Sequence, residues 1–384
     1  MEIFKDIFYV GVHDDKIDLF EGQFVVPEGI CYNSYVILDE KVAVFDTVDA
    51  NFFEKWSENL DGVLNGRRPD YLIVQHMEPD HSANIDKFMQ KYENAKIVSD
   101  PKSFTMMKQY FGNGYEDRKI EVKDGDKLSL GKHELTFISA PMVHWPEVIM
   151  TYDSTSKILF SADGFGKFGT FEPTDDWACE ARRYYFGIVG KYGAQVQKVL
   201  QKASTLDIQA ICPLHGPVLK ENLGYYINLY DIWSSYKVES EGVAIFYTSV
   251  YGNTKKAVFE LQAELEKLGA KKVVCCDLAR EDMHEAIEDA FRYGKIVLAT
   301  TTYNGEIFPF MKTFIDALVE RAYQNRKIGL IENGSWAPVA NRYMMKMFEK
   351  SKNIEFCENN VTVRAALNTE SLEQIKNLAK EFLA

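Results

Sequence analysis

The chain has 384 residues, more than one ordinary domain needs and suited to two. Apolar residues make up 46 % and charged residues 26 %, and 57 acids against 44 bases give a net charge of −13, which argues against a nucleic-acid surface. The six cysteines are scattered without a C-x-x-C pair and no apolar run is long enough to span a bilayer, which sets aside a disulfide framework, a rubredoxin-type iron site within the chain and a membrane protein.

The N-terminus carries acids among its apolar residues and lacks the basic region and apolar core of a signal peptide, so a cytoplasmic protein with reduced thiols is expected. From residue 8 to about 160 the pattern is of short strands and tight turns. Residues 32–38 and 42–47 read as a hairpin around Asp39-Glu40-Lys41, and 51–64 as a helix. Tyr71-Leu72-Ile73-Val74 reads as a buried strand, and Ser82 begins a helix that runs to about Tyr92.

Between them lies Gln75-His76-Met77-Glu78-Pro79-Asp80-His81. Pro79 stiffens this turn and keeps Glu78 extended, so the alternate residues His76, Glu78 and Asp80 are expected to face one space. Two imidazoles and two carboxylates this close repel one another or stay badly solvated unless a cation sits among them. The plainer reading is a polar cap, with Asp80 or Ser82 accepting from free backbone N–H groups.

Residues 96–99, 127–130 and 134–139 are further strand candidates, and 148–152 with 157–161 read as a second hairpin. Three ligand types then follow strand ends, each beside Gly or Pro. They are His144 in Met142-Val143-His144-Trp145-Pro146, Asp163 in Ala162-Asp163-Gly164, and His215 in Pro213-Leu214-His215-Gly216. Alone, each would be an ordinary turn residue. In this order after the first turn, they reinforce one another. His13, His133 and His284 have no such context and read as surface or core residues.

Composition changes at the polar stretch from Ser234 to Gly242, which reads as a linker. Beyond it strands and helices alternate strictly. Strands are expected at 243–247, 272–276, 295–300, 327–331 and 359–363, and helices at 253–268, 282–293, 308–322, 337–350 and 371–382. That pattern is a doubly wound parallel sheet, which takes ligands at the carboxyl ends of its strands. The first strand ends in Thr248-Ser249-Val250-Tyr251-Gly252-Asn253-Thr254, hydroxyls and a glycine leading into a helix N-terminus. Such a turn is an anion site built from N–H groups, hydroxyls and the helix dipole, and without a P-loop lysine it suits a monophosphate. The third strand ends in Thr301-Thr302-Tyr303-Asn304-Gly305 and the fourth in Asn333-Gly334-Ser335-Trp336, so Tyr303 and Trp336 could pack on the two faces of a flat ring.

The order H-x-E-x-D-H followed by His144, Asp163 and His215 resembles the metallo-β-lactamase fold, an αββα sandwich with a dinuclear metal site. Zinc hydrolases of that fold have His where this chain has Glu78, and a carboxylate there suits iron better than zinc. With His144-Trp145-Pro146, that variant resembles the A-type flavodiiron proteins, and the second-half loops resemble flavodoxin. The likeness covers nearly the whole chain. It implies a metallo-β-lactamase-like diiron domain over 1–240, followed by a flavodoxin-like, five-stranded FMN-binding domain over 241–384. It implies one iron held by His76, Glu78 and His144, a second by Asp80 and His215, and Asp163 as the bridge; whether His81 joins them stays open. It implies FMN on the three loops, although Asn333-Gly334-Ser335-Trp336-Ala337-Pro338 stands where the family often has a glycine-rich loop. The implied reaction is reduction of dioxygen to water, of nitric oxide to nitrous oxide, or both. The implied partners are an external electron donor such as rubredoxin or a reductase, and a second copy in a head-to-tail homodimer or a dimer of dimers. The alternative is a dinuclear zinc hydrolase with a fused flavodoxin-like domain, against which Glu78 argues.

Overall fold

The computed structural model describes residues 1–173 and 176–384. The chain divides into two compact units, Met1–Asp231 and Ile232–Ala384. The break falls inside the helix Leu223–Ser234, ahead of the 240/241 boundary expected from composition. The polar stretch after this helix is tied into the second unit: Trp233 Nε1 donates to Glu239 Oε2 at 2.6 Å, and the buried Arg326 guanidinium donates to the Tyr236 carbonyl at 2.8 Å. Polarity marked the segment as a linker, whereas an arginine remote in sequence holds it.

The first unit is built on two sheets. The larger runs Glu2–Phe4, Ile7–Tyr9, Tyr35–Leu38, Val42–Phe45, Tyr71–Ile73, Lys96–Ser99, Lys119–Glu121, antiparallel at its start and parallel from Val42–Phe45 onward. The smaller runs Lys127–Ser129, Glu134–Ser139, Ile149–Asp153, Ile158–Phe160, Ala210–Cys212. Its strands are antiparallel except for the last pair. Ile37, Ala43, Phe45, Ile73 and Val98 share a core with Phe137, Ile149 and Phe160 of the smaller sheet, and Phe45 stacks on Phe160 at 4.1 Å. Their alternates Val36, Val44, Leu72 and Ile97 face a second core with Trp56, Leu60, Phe88 and Phe104 of the flanking helices. These strands are buried on both faces, which is why they read as unbroken apolar runs.

Several elements lie outside the expected set. The helix Pro101–Phe111 starts at Asp100, whose side chain accepts from Lys102 N, and stops at Gly112 with φ 71°. Those start and stop residues are plain in the sequence. The strands Glu2–Phe4, Val12–Asp14, Leu19–Phe20 and Phe24–Val25 are too short to show a period. The helix Trp177–Tyr184 continues into a π turn at Tyr185–Val189.

The second unit is a parallel sheet in the order Val273–Asp277, Ser240–Tyr247, Tyr293–Tyr303, Arg326–Asn333, with the fifth place shared by Ile354–Phe356 and Val361–Val363. The five strands and five helices match the alternation read from the sequence. The fifth strand is split, both pieces pairing with Arg326–Asn333, and a short antiparallel strand Glu306–Ile307 folds back on the third. Among the described residues no helix is long and apolar enough to cross a membrane.

Candidate functional site

In the first unit the candidate ligands gather just past the ends of strands. After Tyr71–Ile73 the loop is held by Asp46, whose carboxylate accepts from Gln75 N at 2.8 Å, Gln75 Nε2 at 3.2 Å and His76 N at 3.3 Å. Glu78 stays extended at φ −60° and ψ 137°, and the helical turn Pro79–Ser82 begins with proline at its first position. Strand alternation therefore stops at Glu78. Asp80 does not share the space of His76 and Glu78 as alternation predicts, because the helical turn carries it and His81 to a second cluster.

The first cluster is His76, Glu78, His144 and Asp163, and the second is Asp80, His81 and His215. In the first, His76 Nε2 lies 3.3 Å from Glu78 Oε2 and 3.2 Å from His144 Nε2, and His144 Nε2 lies 3.1 Å from Glu78 Oε2. In the second, His81 Nε2 lies 3.0 Å from His215 Nε2 and 3.2 Å from Asp80 Oδ2, and His215 Nε2 lies 3.3 Å from Asp80 Oδ2. Asp163 divides its carboxylate between them. Its Oδ2 is 3.3 Å from His76 Nε2 and 3.0 Å from His144 Nε2, while Oδ1 is 3.8 Å from His81 Nε2 and 3.7 Å from His215 Nε2.

Both carboxylate oxygens of Asp80 and of Asp163 are buried without a hydrogen-bond partner. Burial alone would raise the Asp163 carboxyl, yet the His76 and His144 imidazoles pull it well below the ordinary range. Burial likewise works against a charged His76, but Asp163, Glu147 and Glu78 hold its pKa well above the usual value. Ring nitrogens aimed at one another and at orphaned carboxylates fit two cations, one per cluster, with imidazole and carboxylate ligands appropriate to iron.

Residues that motif reasoning passed over complete the site. The ring nitrogens of His76 and His215 that face away from the cluster are both engaged: His76 Nδ1 donates to Glu147 Oε1 at 3.0 Å, and His215 Nδ1 donates to the Cys31 carbonyl at 2.8 Å. Glu147 lies three positions past His144 on the same loop, and its proximity to a ligand was the available signal. Aromatic rings wall the cluster. Trp145 stands edge-on to His76 at 5.2 Å, and Phe20, Tyr32 and Tyr184 lie 5.6, 6.1 and 5.4 Å from His215. Glu21 is exposed at the tip of the hairpin Leu19–Phe20 and Phe24–Val25, yet the protein packed around its carboxyl and the neighbouring Glu78 carboxylate push it up to about 7. No sequence pattern marks Glu21, Tyr32 or Tyr184.

In the second unit a cleft of about 570 Å³ opens at the carboxyl ends of the strands, a volume typical of a cofactor site. Val250, Tyr251, Asn253, Thr254, Thr301, Thr302, Tyr303, Asn304, Gly305, Asn333, Gly334, Ser335 and Trp336 line it, as do Ala337, next in the fourth-strand loop, and Ala365, which no sequence pattern marks. Thr248, Ser249 and Gly252 do not line it. The buried Thr248 hydroxyl lies 2.7 Å from that of Thr300, and Ser249 Oγ accepts from Lys255 N at 3.2 Å. Gly252, at φ 86°, turns the chain into the helix Asn253–Lys267 and has no side chain of its own to cap it, so apart from Lys255 N, taken by Ser249 Oγ, the N–H groups of the first turn offer an anion site. The loops are joined to one another: Thr301 Oγ1 donates to the Asn333 carbonyl at 3.1 Å, and Asn333 Nδ2 donates to the Ala365 carbonyl at 3.2 Å. Tyr303 is half-exposed and Trp336 is 81 % exposed, so both rings have faces free to meet a flat ligand. An anion site beside two such rings fits FMN.

Residues 30–216 match the family model described as ODP family beta lactamase, and residues 244–374 match the flavodoxin domain model. An uncharacterized protein of Methanocaldococcus jannaschii is 30 % identical over 100 % of this chain and 98 % of its own length. A nitric oxide reductase of Moorella thermoacetica is 28 % identical over 98 % of this chain and 96 % of its own. The solved structure of the flavodiiron protein from Giardia intestinalis superposes with a TM-score of 0.92 at 26 % identity, covering 100 % of this chain and 96 % of that one.

Proposed function

The chain belongs to the flavodiiron proteins, oxidoreductases with a non-haem diiron pair and FMN, and on that premise we propose that it reduces dioxygen to water, nitric oxide to nitrous oxide, or both. Electrons enter from an external donor such as a rubredoxin or a reductase and pass through FMN, which takes them singly or in pairs. When bound, the two ions supply a place where a small gas is held between them and reduced.

The chain's own residues set up that chemistry. His76, Glu78 and His144 hold one ion, Asp80, His81 and His215 the other, and Asp163 spans both. Glu147 and the Cys31 carbonyl keep His76 and His215 protonated on Nδ1, so that Nε2 presents a lone pair to the ion. Trp145, Phe20, Tyr32 and Tyr184 exclude bulk water from the cluster. In the second unit Thr254 and the first-turn N–H groups of the helix Asn253–Lys267 that Ser249 does not occupy receive the FMN phosphate, with Tyr303 and Trp336 against the ring. A head-to-tail homodimer, alone or paired into a dimer of dimers, is the assembly we propose for passing electrons between the cofactors.

The observation that carries this reading is the divided Asp163 carboxylate, with one oxygen on each cluster and neither hydrogen-bonded. Glu78 in the first cluster favours iron over the zinc hydrolase alternative. The test is metal and flavin content of protein prepared without oxygen, followed by gas consumption with reduced rubredoxin. Two irons and one FMN per chain, with gas turnover that needs the donor and is slow with NADH alone, are expected. Zinc with hydrolytic activity and no gas turnover would overturn the reading.

A further inference from the structure

The two clusters present similar ligands but different supports. Behind the first, His76 Nδ1 donates to a carboxylate, Glu147 Oε1, at 3.0 Å. Behind the second, His215 Nδ1 donates to a neutral carbonyl, that of Cys31, at 2.8 Å, and His81 Nδ1 is buried without a partner. Glu147 is 1 % exposed. Its Oε1 also accepts from Met77 N at 2.9 Å, its Oε2 has no hydrogen-bond partner, and among the described residues His76 is the one group with which it forms an ion pair. Lys102, whose Nζ reaches the residue before Glu147, donates to the Pro146 carbonyl at 3.0 Å. The other buried carboxylate near the ligand loop, Asp46, differs in kind, because three N–H groups of Gln75 and His76 already share its charge.

A carboxylate hydrogen-bonded to Nδ1–H draws that proton toward itself and makes Nε2 a stronger donor to the ion, and a backbone carbonyl does so less. Its negative charge also lies close to the first ion in a dry site, where it favours the higher charge state. We infer that Glu147 makes the two metal positions unequal, so that the half-reduced pair keeps its ferric ion at His76, Glu78 and His144 and its ferrous ion at Asp80, His81 and His215. With both ions bound, the position beside Glu147 would be the harder of the two to reduce. Glu147 touches neither metal nor gas and acts through His76 as a positioning residue. This inference rests on the diiron reading above.

Glu147→Gln isolates the charge, since the amide oxygen can still accept from both His76 Nδ1 and Met77 N. The measurement is Mössbauer spectroscopy of the full-length holoprotein enriched in ⁵⁷Fe, titrated with dithionite to equal ferric and ferrous areas. The spectrum reports iron alone, so reduction of the flavin does not obscure it. In the variant the ferric doublet should move and the ferrous doublet stay. The second reduction step should become easier while the first changes little, and Glu147→Asp should restore much of the difference. A shift of the ferrous doublet alone, equal shifts of both, or equal changes in both reduction steps would overturn the inference. Wild-type protein whose half-reduced spectrum shows one averaged environment would overturn it as well. Loss of the diiron reading itself looks different, since the wild type would then hold no iron to observe.

Discussion

The two units carry their sites in opposite ways. In the first, the site is made of side chains, seven ligand candidates with orphaned carboxylates among them, closed in by aromatic rings. In the second, the site is an open cleft defined by loops, by backbone N–H groups and by a tryptophan that is largely in solvent. One site is defined by its ligand side chains, and the other by the shape of its loops. The difference teaches that each should fail separately, and substitutions can test that.

The largest effect is expected at the metal. Glu78→Ala removes a carboxylate from the first cluster, and gas reduction should fall by more than about 100-fold, since even outer hydrogen-bond partners of ligands are worth about 10–100-fold. The flavin absorbance of that variant should be normal; lost flavin would mean that the units are not independent. The converse is Thr254→Val, which deletes a hydroxyl beside the helix N-terminus of the cleft. A hydrogen bond to a charged group contributes about 1.5–3 kcal/mol, so FMN should bind roughly 10–100-fold more weakly while iron content stays at the wild-type level. Unchanged flavin affinity would remove the phosphate from that turn.

The smallest effect belongs to a histidine of the first unit that binds nothing. His133 is buried, and its Nδ1 lies 2.7 Å from Asp153 Oδ2. That hydrogen bond raises its pKa above the unfolded value, with burial opposing. A raised folded pKa means that the pair's contribution is fully present below the unfolded value of about 6.5 and fades as pH climbs through the folded one. Denaturant unfolding of the first unit should therefore show stability falling with rising pH over that window, by less than roughly 1.4 kcal/mol per pH unit for one titrating group. His133→Gln should flatten that slope, and an unaltered slope would assign it to other groups.

How much could be read beforehand differs between the units for physical reasons. The second follows an alternation of strand and helix, and its elements carry a full period of their own except for the two-residue strand Glu306–Ile307 and the split fifth strand. In the first, strands such as Leu19–Phe20 are two residues long, below any period, and their place is decided by pairing with Phe24–Val25. The ligand residues were legible because His, Glu and Asp beside Pro and Gly after apolar runs have few other uses. Where Asp80 points was not legible, because it depends on whether Pro79 begins a helix or continues a strand. Glu147 and the Cys31 carbonyl were hidden for a different reason. A hydrogen bond between residues 71 apart, or 184 apart through a backbone atom, leaves no local pattern.

The ligand candidates run from His76 to His215 and come from both sheets of the first unit. His215 follows the strand Ala210–Cys212, which pairs with Ile158–Phe160, so it reaches the cluster only once the smaller sheet has closed. A nascent chain that has left the ribosome up to residue 200 therefore has every ligand but one and no second pocket. Synthesis therefore supplies all four residues of the first cluster before it completes the second.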